Sequence, residues 1–273
     1  MTKKRSRSEE SPITRSPDHQ ITRSLSCPPS LIAYITCGDP DLATTRSIVL
    51  AAARAGADVI ELGVPFSDPV ADGPVIQRAS ERALKQGTSL ADVLQVAKEV
   101  RNESSAGLVV FSYLNPILRF GMERFCHEAA RAGVNAGLVT DLTVEEADDY
   151  RRLMAAHNLD TVFLAAPTSP DQRLKRICQA CQGFVYAVSR TGVTGTQKEL
   201  AGDARDLVKR LRKFTKLPVA VGFGISNAEQ FAQVGTFADA AAVGSAIVQA
   251  IEQNPGREPK AVAELVSQMK RVG

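Results

Sequence analysis

The chain has 273 residues, 44% of them hydrophobic and 23% charged, with a formal net charge of +3. That length suits one large domain or two small ones, and the apolar fraction excludes wholesale disorder. The positive excess sits in residues 1–30, where six cations (Lys3, Lys4, Arg5, Arg7, Arg15, Arg23) face three anions (Glu9, Glu10, Asp18); the body keeps 27 charges of each sign and offers no footprint for nucleic acid.

In chain order the first element is that basic tail. Pro12, Pro17, Pro28 and Pro29, among many Ser and Arg residues, argue against regular structure over residues 1–30, so an irregular tail is expected. The run from Lys3 to Arg7 reads as solvated charge rather than a nucleic-acid motif. The tail lacks the apolar block of a secretory signal, and Glu9 and Glu10 oppose a transit peptide. No apolar run approaches the roughly 18 residues of a membrane span. Five cysteines (Cys27, Cys37, Cys126, Cys178, Cys181) form an odd, scattered set, which points away from a disulfide framework and toward a reducing, cytoplasmic setting. Cys178 and Cys181 have C-x-x-C spacing, but with no second pair and only three histidines they read as two cysteines on a helix face.

From residue 31 onward a short apolar run, a loop and an amphipathic helix recur. The strand candidates are 31–36, 58–62, 108–112, 136–140, 161–165, 184–188, 218–221 and 239–243, eight in all. Gly56, Gly133 and Gly235 each fall where a helix gives way to the next strand, and are expected to cap those helices in the left-handed conformation. An open doubly wound sheet would carry its glycine fingerprint after the first strand. Here the glycine-rich segments follow strands six, seven and eight, where a (β/α)₈ barrel places its phosphate site. The expected fold is a single α/β (β/α)₈ TIM barrel over residues 31–273. About 45 residues separate strands two and three, which leaves room for an extra helix there.

Glu61 ends the second strand, and Asp72 lies eleven residues on, beyond a loop stiffened by Pro65 and Pro69. Barrel enzymes carry their chemistry at strand ends and the loops after them. A carboxylate in an apolar strand end is costly unless it has a partner or a task, and burial would raise its pKa toward neutrality. As purely structural groups, Glu61 would form a salt bridge, and Asp68 and Asp72 would cap turns or the helix opening at Pro74. The phosphate candidates are Thr194 and Gly195 after strand six, Gly222 and Gly224 after strand seven, and Gly244 and Ser245 after strand eight; small residues let backbone N–H groups approach an anion. The polar stretch Thr191–Lys198 is a candidate lid.

These segments resemble the tryptophan synthase alpha subunit family over residues 31 to about 251. Thr36-Cys-Gly-Asp-Pro40 is similar to its opening motif, and Glu61-Leu-Gly-Val-Pro-Phe-Ser-Asp-Pro-Val-Ala-Asp-Gly-Pro-Val-Ile-Gln77 to its signature. Ser189-Arg-Thr-Gly-Val-Thr-Gly195, Val221-Gly-Phe-Gly-Ile225 and Val243-Gly-Ser-Ala-Ile-Val248 are similar to its phosphate loops. The resemblance implies retro-aldol cleavage of indole-3-glycerol phosphate to indole and glyceraldehyde 3-phosphate. Glu61 would handle protons at the indole C3 and at the glycerol hydroxyl, and Asp72 would hold the ring N–H. It places Tyr34, Phe111, Tyr113, Leu138, Leu164 and Phe223 around the indole and Tyr186 beside the reacting carboxylate. It implies no cofactor in this chain, with pyridoxal phosphate carried by a beta partner in an αββα assembly. Asp68, Pro69 and Asn115 would face that partner. A free-standing lyase and an inactive, partner-activating subunit are the alternatives. Two departures stand out: residues 1–30 do not read as the amphipathic helix that usually closes the barrel bottom, and Thr140 and Thr143 replace residues that are commonly Pro or Ala and Pro.

Overall fold

The computed structural model describes residues 20–188, 197–222 and 224–271. Its parallel strands are β1 (Ser30–Thr36), β2 (Val59–Gly63), β3 (Gly107–Ser112), β4 (Ala136–Val139), β5 (Asp160–Val162), β6 (Leu164–Ala165), β7 (Val185–Val188), β8 (Val219–Gly222) and β9 (Ala240–Val243). Their order across the sheet is β5-β4-β3-β2-β1-β9-β8-β7-β6. β5 and β6 are the two halves of the expected fifth strand. β5 pairs with β4 and β6 with β7, so the two ends of the order are joined by the chain itself and the barrel closes. The break falls at Phe163, whose N–H turns to Cys181 Sγ at 3.4 Å.

A parallel barrel buries both faces of its strands, which is why they read as continuous apolar runs. Alternation then sorts the side chains. Ile60, Leu62, Leu108, Val110 and Val221 face outward into the main core beneath the helices. Ile32, Tyr34, Val59, Val109, Phe111, Leu138, Tyr186 and Ala242 face inward.

The interval between β2 and β3 holds two helices, Pro74–Lys85 and Leu90–Arg101. The second opens with a capping box in which Ser89 and Asp92 satisfy each other's backbone N–H. Gly56 and Gly133 adopt φ of 109° and 76°, as expected of helix caps. Gly235 does not: it ends the helix Ala228–Gly235, and a Cβ there would stand 2.8 Å from Pro29. Its smallness serves close packing. Cys178 and Cys181 are buried free thiols, one in the helix Asp171–Ala180 and the other at its cap.

The expectation of an irregular segment over residues 1–30 needs correcting at residues 20–30, while residues 1–19 lie outside the described residues. Gln20–Ser24 form a turn of helix, and Ser30 already belongs to β1. Ile21 and Leu25 are buried in the barrel interior, and the Thr22 hydroxyl donates to the Gly183 carbonyl at 3.0 Å. A Cβ on Gly107 or Gly183 would lie 2.7 Å or 2.5 Å from Ile21, so both glycines make room for this plug. The signal was hidden because a single turn has no periodicity to detect. No helix among the described residues is long and apolar enough to cross a membrane.

Candidate active site

Glu61 is the third residue of β2, and alternation turns it inward. The register sets it beside Tyr34 of β1 and Val109 of β3. Its side chain is fully buried, and among the described residues neither oxygen has a hydrogen-bond partner. The expected structural alternative, a salt bridge, is therefore not made. Desolvation without compensation pushes its pKa up to about 8, so the group is held as a neutral acid near pH 7.

Asp72 lies on the loop between β2 and the helix Pro74–Lys85. That helix is capped by Gly73 without a side-chain bond, so the Asp72 carboxylate is not its cap. Instead the Tyr113 hydroxyl donates to Asp72 Oδ2 at 3.0 Å and itself accepts from the Ala71 N–H at 2.9 Å. Gln77 Nε2 donates to the Asp72 carbonyl at 2.9 Å, which folds the loop back on its own helix. Burial raises the Asp72 pKa to about 6, while the Tyr113 bond works the other way. Tyr34 and Tyr186 are raised by burial first, and each also feels the charges of Glu61 and Asp72.

The remaining candidates divide. Tyr34 and Phe111 pack edge to face, with centroids 5.1 Å apart, and both lie almost wholly inside the barrel. Leu138 is fully buried and Leu164 partly so. Gly63 and Gly222 are required by tyrosines: a Cβ would sit 2.3 Å from the Tyr34 hydroxyl in one case and 2.1 Å from that of Tyr186 in the other. Gly224 has a φ of 86° and open space around it. Gly244 caps the helix Ser245–Gln253, so that helix points its N-terminus toward the β1–β9 side of the mouth, with Ser245 exposed. Thr194, Gly195 and Phe223 fall outside the described residues, as does most of the candidate lid.

Asp68 and Asn115 are exposed and Pro69 is half-buried. Sequence reasoning missed their neighbours: Val70 is 86% exposed and Leu118 is 54% exposed, two of the three large apolar side chains left in solvent among the described residues. Each lies within three positions of a partner-facing candidate, which was the signal available. Thr140 reaches the Ser112 carbonyl at 3.4 Å, and Asp141 accepts from the Leu114 N–H at 2.7 Å.

A closed parallel barrel with two carboxyls of raised pKa at its mouth, one of them without a counter-charge among the described residues, has the equipment of a general acid–base enzyme. The comparisons narrow that class. The family model for the tryptophan synthase alpha chain matches residues 26–272. The tryptophan synthase alpha chain of Solibacter usitatus (strain Ellin6076) is 54% identical over 225 residues, covering 82% of this chain and 84% of that one. The Neisseria meningitidis serogroup B counterpart is 47% identical over 242 residues, 88% of this chain and 93% of that one. Among solved structures, tryptophan synthase from Mycobacterium tuberculosis superposes with a TM-score of 0.85 at 35% identity, covering 92% of this chain and 97% of that chain. A chain of the Pyrococcus furiosus α2β2 complex gives a TM-score of 0.84 at 40% identity, with 90% and 99% covered. The chain belongs to the tryptophan synthase alpha chain family.

Proposed function

We propose that Glu61 and Asp72 divide the work of the family's lyase reaction, the cleavage of indole-3-glycerol phosphate to indole and glyceraldehyde 3-phosphate. Glu61 enters as the neutral acid and gives its proton to the indole C3, which makes the ring an electron sink. As the carbon–carbon bond breaks, the new Glu61 carboxylate takes the proton from the glycerol hydroxyl next to it. An aldehyde forms and the acid is restored. Asp72, ionised, holds the ring N–H and stabilises the positive charge that develops on the ring. Tyr34, Phe111, Leu138 and Leu164 enclose the ring, Tyr113 orients Asp72, and Tyr186 borders Glu61. Gly222, Gly224, Gly244 and Ser245 receive the phosphate, together with Thr194 and Gly195. The observation that carries this reading is the complete burial of Glu61 without a partner among the described residues.

The chain takes no cofactor of its own in this reading. Its partner is a beta subunit in an α2β2 assembly, as in the Pyrococcus furiosus complex, docked over Asp68, Pro69 and Asn115. Exposed Val70 and Leu118 beside them supply apolar surface for such a contact. The test is indole release from indole-3-glycerol phosphate, measured with and without a beta subunit. Activity stimulated by the partner is expected. Full activity that ignores the partner would mark a free-standing lyase, and no indole release under either condition would sink the assignment of the acids.

A further inference from the structure

Three strands, β2, β3 and β9, are each followed by two helices; the first of the pair after β2 is Pro74–Lys85, and the first after β9 is Ser245–Gln253. These two pack on each other. Near their starts the contact is apolar: Ile76 lies 3.7 Å from where a Gly244 Cβ would be, and Ile76 and Val248 share the interior cluster with Tyr34 and Phe111. Further along, charge takes over. Arg82 sends a two-pronged bond into Asp39, at 2.7 and 2.8 Å, while its third nitrogen reaches Glu252 at 2.8 Å. Arg78 grips the same Glu252 with two bonds, at 3.0 and 2.8 Å. Asp39 is only 2% exposed, on the loop after β1, so the fork is rooted in the barrel. Next to it, Gly38 leaves space for Thr88, whose hydroxyl would be 2.1 Å from a Cβ there.

These two helices begin at opposite ends of the proposed substrate. Pro74 follows Asp72, the proposed anchor for the ring, by two positions, and Ser245 opens the helix at the proposed phosphate site. We propose that Arg82 is a positioning residue that fixes the span between these two anchors, so that the site reads the length of its substrate. This rests on the functional reading above and adds to it the part that measures the ligand. A ligand held at both ends gains over its separate halves only while the spacing of the two grips matches it. Loosening the spacing removes that gain and leaves each half-site intact. The fork also requires arginine, because lysine is a point charge that cannot bridge Asp39 and Glu252 in one plane.

The experiment uses the full chain, with Arg82→Lys and the more conservative Glu252→Gln, whose altered residue is partly exposed. Three probes are titrated by calorimetry: indole, glycerol 3-phosphate, and a non-cleavable indole-3-alkyl phosphate that spans both. Binding of the spanning probe is expected to weaken about tenfold in Arg82→Lys and about threefold in Glu252→Gln, with both halves changed by less than about twofold. The kcat/KM for indole-3-glycerol phosphate should fall in step with the spanning probe. Equal weakening of the halves and the spanning probe would reduce Arg82 to a general strut, and unchanged binding of all three would remove it altogether. Either result overturns the proposal. If the parental chain shows no gain for the spanning probe over its halves, the functional reading fails first and the ruler fails with it.

Discussion

Two carboxylates are buried near the mouth of this barrel, and their surroundings are opposite. Asp39 meets Arg82 through a two-pronged bond, itself tied to Glu252 and a second arginine. Glu61 meets tyrosines and apolar walls, and among the described residues neither of its oxygens finds a donor. A buried carboxylate matched by a fixed guanidinium serves as a strut, and breaking such a pair is costly. A buried carboxyl matched by nothing holds its proton and has it ready for whatever enters the cavity. Asp72 lies between these extremes, half-buried and held by one phenol, which suits a group that must accept a ring N–H. The fold thus keeps its structural charges and its chemical charges in separate neighbourhoods.

Exchanging each carboxyl for its amide should break the two regions in opposite ways. Glu61→Gln is expected to lower indole formation by about 10³-fold or more, since a proton donor and acceptor is lost. It should also stabilise the fold at alkaline pH. Glu61 has an ordinary value of 4.5 and is raised to about 8 when folded. Between those values the folded chain keeps a proton that the unfolded chain has released. Stability is therefore greatest on the acid side, declines as pH rises through this window, and is flat above it. Glu61→Gln should erase that decline, by up to a few kcal/mol above pH 8, in urea titrations at several pH values. Asp39→Asn should do the reverse, costing about 1–3 kcal/mol of stability because Arg82 keeps only part of its bonding. A Glu61→Gln chain that unfolds more easily at pH 9 would contradict the contrast.

The pH dependence of the parental enzyme sharpens the same comparison. Asp72 must be ionised to hold the ring N–H, so kcat/KM should rise through about 6, the value to which burial lifts it. Glu61 must be protonated to attack C3, so the profile should fall again through about 8. A single limb still rising above that point would mean Glu61 starts as a base. In Asp72→Asn the lower limb should vanish, with roughly a 10²-fold loss of kcat/KM from the missing electrostatic support.

Much of this was legible in the chain. Apolar runs and their spacing marked the strands because a parallel barrel buries both faces, and a carboxylate written into such a run marked Glu61. The split of the fifth strand was not legible, because it depends on where the Phe163 N–H finds Cys181. The partnership of Asp72 with Tyr113 joins residues 41 positions apart, and no local pattern announces it. The type of Gly222 suggests an anion site but not its second constraint, that its neighbour Tyr186 alone would exclude any side chain there. Arg78 and Arg82 drew no attention in the sequence, because their partners come from distant parts of the chain.

The smallest expected effect tests the floor of the barrel against its mouth. Ile21 is fully buried on a helix of five residues, too short to persist without the packing it makes. Ile21→Val removes one methylene from a site enclosed by backbone at Gly107 and Gly183, where relaxation is limited. It should cost about 1 kcal/mol, or some 2–4 °C in melting temperature for a chain of this size. Both limbs of the pH profile should stay in place, because the floor is remote from the two acids. An unchanged melting temperature would show that the turn does not dock in solution. A shifted limb would show that floor and mouth are mechanically linked, and that the separation of structural from chemical groups is incomplete.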